Sequence, residues 1–296
     1  MTHSTGQPPT PRTPAPQTPI PETPTAQEFL ALPDGPLAVR RDGPRDAPAL
    51  LLVHGTASSG SSWDALVPLL APHHHVVRVD LPGHGRSPEP TAGGYGIPAQ
   101  GRRVAQALDA LSVPHAVVVG HSSGGYTATA LAEQRPDLVT ALALVDTGPA
   151  LDAFLAQDTA TAPDPGRWPP TDAQVRQLAA TGFRAGYTVP QYLVDEVRAM
   201  SLTAFTAAAR AGTAYLAERP LPPRLAALGK PLHVVFGAQD RRWRPSSAQD
   251  YLTVPGATLD LLPDAGHTPI LEDPPETAAC LLPFTAYVTG GGRTAG

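Results

Sequence analysis

Ala116-Val117-Val118-Val119-Gly120-His121-Ser122-Ser123-Gly124-Gly125 is the stretch that decides the fold. Its first four residues, apolar and mostly β-branched, read as a short buried strand, and Gly125 to Arg135 reads as a helix that Pro136 stops. Between them lies the pattern G-x-S-x-G. A strand that turns directly into a helix forces its central residue into a strained backbone conformation and leaves the serine oxygen exposed at the tip. Glycines two residues to either side remove the side chains that would crowd such a turn. Small-residue loops can match the pentapeptide alone. The strand before it and the helix after it mark a nucleophile elbow centred on Ser122.

Working outward, strands and helices alternate. Phe29–Leu32, the turn Pro33-Asp34-Gly35 and Leu37–Arg40 suggest an antiparallel hairpin. Ala49–Val53 is a continuous apolar run, as expected of a strand covered on both faces. A helix is predicted from Ser62 to Leu70, a strand at Val76–Val79 and a helix over Ala99–Leu111. Beyond the elbow come strands at Ala141–Val145, Leu232–Phe236 and Thr258–Leu262, a helix between the last two, and another after Pro275 that Pro283 should end or kink early. This alternation predicts an α/β fold, a mostly parallel sheet with helices on both faces. Residues 147–226 interrupt it with a Pro- and Gly-rich stretch, Pro163–Pro170, and helical patterns at Thr171–Ala180 and Pro190–Glu218. Inserted after a central strand, they read as a helical cap between the two parts of the core, 27–146 and 227–289. Residues 1–26, rich in Pro and Thr, read as a disordered tail and 290–296 as a flexible end.

A serine hydroxyl is a poor nucleophile at neutral pH and needs a base within hydrogen-bond reach, itself oriented by a carboxylate. His267 follows the last strand, so its loop can lie over the elbow. Asp240 follows the preceding strand, where Gly237 lets the chain turn toward that histidine. Asp146, at the end of the strand before the insertion, is the rival acid. An oxyanion hole is also required. One donor falls to the backbone N–H of Ser123, at the start of the elbow helix, and the other to Thr56 in the loop His54-Gly55-Thr56-Ala57. Ser58, Ser59, Trp63, Tyr126, Trp168, Phe183 and Tyr187 are candidate pocket residues. His73-His74-His75 would point in different directions from an extended segment and reads as a solvated run, not a metal site. His121 and His233 read as packing or loop residues, and His84 as stabilising its loop.

With 296 residues, 42% of them hydrophobic, the chain can bury a sizeable core. Its net charge of −5, with Lys230 the only lysine, gives no reason to expect nucleic acid or an anionic membrane as partner. The single cysteine, Cys280, excludes an internal disulfide and fits a reducing compartment. The first residues lack the basic start and apolar run of a secretory leader, so a cytoplasmic location is expected.

Together these residues resemble the α/β-hydrolase superfamily, specifically its serine esterases and C–C hydrolases with a helical cap. The resemblance rests on Val53-His54-Gly55, Asp80-Leu81-Pro82-Gly83-His84-Gly85-Arg86-Ser87, the elbow, Phe236–Asp240, and Ala265-Gly266-His267 with Glu272-Asp273-Pro274. It implies Ser122 as nucleophile, Asp240 as acid, His267 as base, Thr56 and Ser123 as the hole, a small-molecule substrate and no cofactor. Same-fold lyases, cofactor-free haloperoxidases and a non-catalytic receptor for a small ligand share the same landmarks. An aspartate nucleophile, as in haloalkane dehalogenases of this fold, is excluded by Ser122.

Overall fold

The computed structural model describes residues 27–90, 93–155 and 165–290; the expected tails at 1–26 and beyond Gly290 lie outside them. Among these residues eight strands form one sheet: β1 (Gln27–Leu30), β2 (Leu37–Asp42), β3 (Ala49–Val53), β4 (His75–Val79), β5 (Ala116–His121), β6 (Val139–Val145), β7 (Leu232–Gly237) and β8 (Thr258–Leu262). Their spatial order is β1-β2-β4-β3-β5-β6-β7-β8. β1 and β2 form the predicted hairpin, β2 joins β4 antiparallel, and every later pairing is parallel.

The apolar runs are continuous because both faces are covered. Leu51, Val53, Val77, Val118, Leu142, Leu144, Val234 and Phe236 point into one core, which they share with α2 (Ile97–Ala110), α3 (Gly124–Gln134) and α7 (Leu221–Leu228). Their neighbours Leu50, Leu52, Val76, Val117, Val119, Ala143, Val145 and Val235 point into a second core with α1 (Val67–Leu70) and α9 (Pro274–Gly290). The period of two along each strand assigns successive residues to opposite cores. A third cluster, built from Val175, Phe183, Val189, Leu193, Val194 and Val197, belongs to α4 (Asp172–Ala179), α5 (Gln191–Ala199) and the loop between them, and touches Ala57 and Leu271.

Several elements differ from the sequence expectation. The helix predicted over Ser62–Leu70 is a 3₁₀ turn at Gly60–Trp63, capped by Ser59, followed by the single turn α1. The pattern at Pro190–Glu218 is two helices, because Met200 is extended and the Ser201 hydroxyl caps α6 (Leu202–Glu218) by accepting from Ala204 N–H. The segment between β7 and β8 is 3₁₀ at Pro245–Thr253. α9 runs through Pro283, held across it by the burial of Ala278, Leu281 and Thr285. α7 packs in the first core, as do Tyr215 and Leu216 of α6, so the sheet layer resumes before residue 227. Among the described residues no helix is long and apolar enough to cross a membrane.

Candidate active site

Ser122 sits between β5 and α3 with φ of 53°, the left-handed region that costs a non-glycine residue on the order of 1–3 kcal/mol. The neighbourhood enforces that conformation. Ser122 N–H donates to Val145 O (2.9 Å), and its carbonyl accepts from Gly125 N–H (3.0 Å) and the Thr147 hydroxyl (2.9 Å). Gly124 is required by close approach: a Cβ there would lie 2.2 Å from Val53 O. The strained turn projects the hydroxyl of Ser122 away from the sheet.

That hydroxyl meets the loop after β8. Ser122 Oγ lies 2.9 Å from His267 Nε2, and His267 Nδ1 lies 2.8 Å from Asp240 Oδ2. The ionised Asp240 fixes the tautomer: Nδ1 carries the proton and donates it, leaving Nε2 to accept from Ser122. Asp240 Oδ1 accepts from the backbone N–H groups of Arg242 (2.6 Å) and Trp243 (3.1 Å). Burial opposes ionisation of Asp240, but His267 and those N–H groups outweigh it and hold its pKa below the usual carboxylate value. Gly237 permits the two loops to meet, since a Cβ there would lie 1.9 Å from Gly266 O.

The rival acid is close by in a different state. Asp146 is fully buried with φ of 44°, and its Oδ1 accepts from Gly237 N–H at 2.8 Å. Its other oxygen has no hydrogen-bond partner among the described residues. Burial first, and then the charge of Asp240, raise its pKa well above the usual value. Of the two adjacent buried carboxyls, Asp240 is pushed toward its ionised form and Asp146 toward its protonated form.

Two residues not assigned roles from sequence hold the base in place. Glu272, at the end of α8 (Pro269–Glu272), accepts backbone N–H bonds from Arg184 (2.9 Å), Gly266 (3.0 Å) and Thr268 (2.9 Å), tying the inserted segment to both sides of His267. His121 Nε2–H donates to His267 O at 2.8 Å. Burial pulls the pKa of His121 down to about 3, so it stays neutral there. Within α5, Glu196 accepts from the hydroxyls of Ser59 (2.6 Å) and Ser61 (2.9 Å), and so joins that helix to the loop after β3.

The predicted oxyanion donors flank the nucleophile. Ser123 N–H stands at the N-terminus of α3, and Thr56 N–H points at the elbow, where the Ser123 hydroxyl accepts it at 2.8 Å. The pocket candidates fare differently. Trp63 is fully buried in the second core, edge-on to His121, and Tyr126 is buried in the first core, donating to Gly148 O. Both are packing residues with no surface to offer a substrate. Ser58 is half-buried on the loop beside Thr56. Phe183 and Tyr187 stack on each other at 4.8 Å, and Trp168 donates to Met200 O. The histidine run is also corrected: His74 and His75 are buried, not solvated. His74 bonds Leu70 O, and His75, in β4, accepts from Arg45.

Against known proteins, the model of the family described as alpha/beta hydrolase fold matches residues 48–274. The chain is 33% identical over 235 residues to the dihydrolipoyllysine-residue acetyltransferase component of the acetoin cleaving system of Cupriavidus necator; the match covers 76% of this chain but only 60% of that longer protein. It is 31% identical over 237 residues to the pimeloyl-(acyl-carrier protein) methyl ester esterase of Aeromonas hydrophila, covering 80% of this chain and 86% of that one. A hydrolase from Pseudomonas aeruginosa PA01 shares the fold at a TM-score of 0.67 and 28% identity, over 87% of this chain and 97% of the other. The chain belongs to the alpha/beta hydrolase fold family.

Proposed function

We propose that this alpha/beta hydrolase cleaves a small-molecule carboxylic ester through an acyl-enzyme on Ser122. The observation that carries the reading is the hydrogen-bonded chain Ser122–His267–Asp240, with contacts of 2.9 and 2.8 Å. Ser122 Oγ attacks the acyl carbon while its proton passes to His267 Nε2. The imidazolium formed is stabilised by Asp240, and the negative carbonyl oxygen is received by the N–H groups of Ser123 and Thr56. Collapse of the tetrahedral species expels the alcohol, which takes the proton from His267. Water, activated by the same imidazole, then releases the acid and restores Ser122.

In this reading α4, α5 and the loop between them act as a cap. The segment between α4 and α5 is tied to the His267 loop through Arg184 and Glu272, and α5 is tied to the loop after β3 through Glu196. The test is turnover of a short-chain p-nitrophenyl ester by the wild-type chain and by Ser122→Ala, with circular dichroism to show that both are folded. The reading expects turnover in the first and none above background in the second. Turnover preserved in folded Ser122→Ala would overturn it.

A further inference from the structure

Thr56 N–H is only useful as an oxyanion donor if its peptide plane is turned toward the nucleophile, and a glycine-containing loop does not fix that by itself. His54 does. Its Nε2 lies 2.9 Å from the backbone nitrogen of Leu81, which can only donate, so Nε2 carries no proton. The neutral ring must therefore hold its proton on Nδ1, which lies 2.7 Å from Gly55 O and donates to it. Gly55 C=O and Thr56 N–H are the two ends of one trans peptide and point in opposite directions. Gripping the carbonyl on one side aims the N–H to the other, where the Ser123 hydroxyl receives it at 2.8 Å. The loop lies hard against the elbow: a Cβ on Gly55 would be 3.0 Å from the Cβ of Ser122.

We propose that His54 is a positioning residue for the oxyanion hole, acting as a one-tautomer staple that orients the Gly55–Thr56 peptide. The Ser123 hydroxyl holds the Thr56 N–H at rest, in the place the substrate's carbonyl oxygen takes during reaction. His54 is fully buried, which lowers its pKa and keeps it neutral. The proposal rests on the ester-hydrolase reading above and adds how the second donor is aimed.

Three substitutions separate aiming from mere packing. Asn at 54 can place an amide N–H where Nδ1 stands, so His54→Asn keeps the donor to Gly55 O. Gln places its oxygen near the position of Nε2, so His54→Gln keeps the acceptor for Leu81 and loses the grip on Gly55. His54→Ala loses both. The readouts are kcat and KM for a p-nitrophenyl ester and inhibition by phenylboronic acid, which forms a tetrahedral adduct on a serine nucleophile. Expected is a fall in kcat of about 100-fold for Ala and Gln, the size of losing one hole donor, with KM within about threefold. The boronate should weaken in parallel, and Asn should recover at least tenfold of the loss. Gln equal to or better than Asn, or losses carried by KM alone, would overturn the proposal. Nitrogen-15 NMR of the wild-type ring needs no variant to fold: a protonated Nδ1 and bare Nε2 at pH 7 is expected, and the opposite tautomer would overturn it. Failure of the ester-hydrolase reading looks different, since Ser122→Ala would then turn over substrate as the wild type does.

Discussion

Both ring nitrogens of His267 are committed, one to Asp240 and one to Ser122, and that commitment sets the consequences of substitution. His267→Ala should abolish ester turnover about as completely as Ser122→Ala, because residues acting as a unit are not additive. Asp240→Asn should cost several orders of magnitude in kcat, since the amide cannot fix the tautomer or stabilise the imidazolium. Asp146→Asn replaces one neutral group by another and should stay within a few-fold of the wild type; the reverse ranking in steady-state kinetics would move the acid to Asp146. Stability gives an independent check on Asp146. Its pKa is raised in the folded chain by burial and by Asp240, so between the usual carboxylate pKa and the raised one folding takes up a proton. Wild-type stability should therefore fall relative to Asp146→Asn as pH rises above the usual value, by up to about 1.4 kcal/mol per pH unit until the folded carboxyl itself ionises. Denaturant melts at pH 5, 6 and 7 would show a flat difference if Asp146 were ionised in the fold. At this scale Ser122, Asp240 and His267 were legible because each follows an apolar run at a turn that glycine marks. The neighbourhood of Asp146 and Asp240 was not, since it depends on β6 and β7 lying side by side. Trp63 and Tyr126 were misread because sequence distance from the elbow says nothing about which core a ring enters.

Among the elements, the short α8 does more than its length suggests. Glu272 gathers N–H groups from the inserted segment and from both sides of His267 into one buried carboxylate. Glu272→Ala would leave those three donors without their acceptor, a loss on the order of 3–5 kcal/mol by the usual penalty for unpaired buried groups. Its Tm should fall accordingly, and kcat should fall with it as the base loop loosens. Unchanged values of both would show that Glu272 anchors nothing. The motif Glu272-Asp273-Pro274 was visible as a landmark, but its role was not, because its partners lie 4, 6 and 88 residues away. Element boundaries were lost at Ser201, whose cap splits the predicted Pro190–Glu218 helix in two, and at Pro283 in α9, where burial overrides a local rule.

Across the whole molecule the proposed chemistry and the proposed selectivity occupy separate parts of the chain. Ser122, Asp240, His267 and both hole donors lie on the sheet layer, whereas α4 and α5 carry a small core of their own. Replacing residues 165–200 with a Gly/Ser linker, while keeping α6 because its end packs in the first core, should leave weak activity on small activated esters. Discrimination among acyl chain lengths should be lost, and retention of the wild-type preference would place the pocket elsewhere. The alternation of strands and helices made the overall architecture legible, because continuous apolar strands need cover on both faces. Activation of Ser122 as a nucleophile is measured by incubating the chain with a fluorophosphonate and mapping the adduct by peptide mass spectrometry. A single adduct on Ser122, absent from Ser122→Ala and formed far more slowly in His267→Ala, is the expected result. An unmodified Ser122 in a preparation that still hydrolyses esters would contradict it.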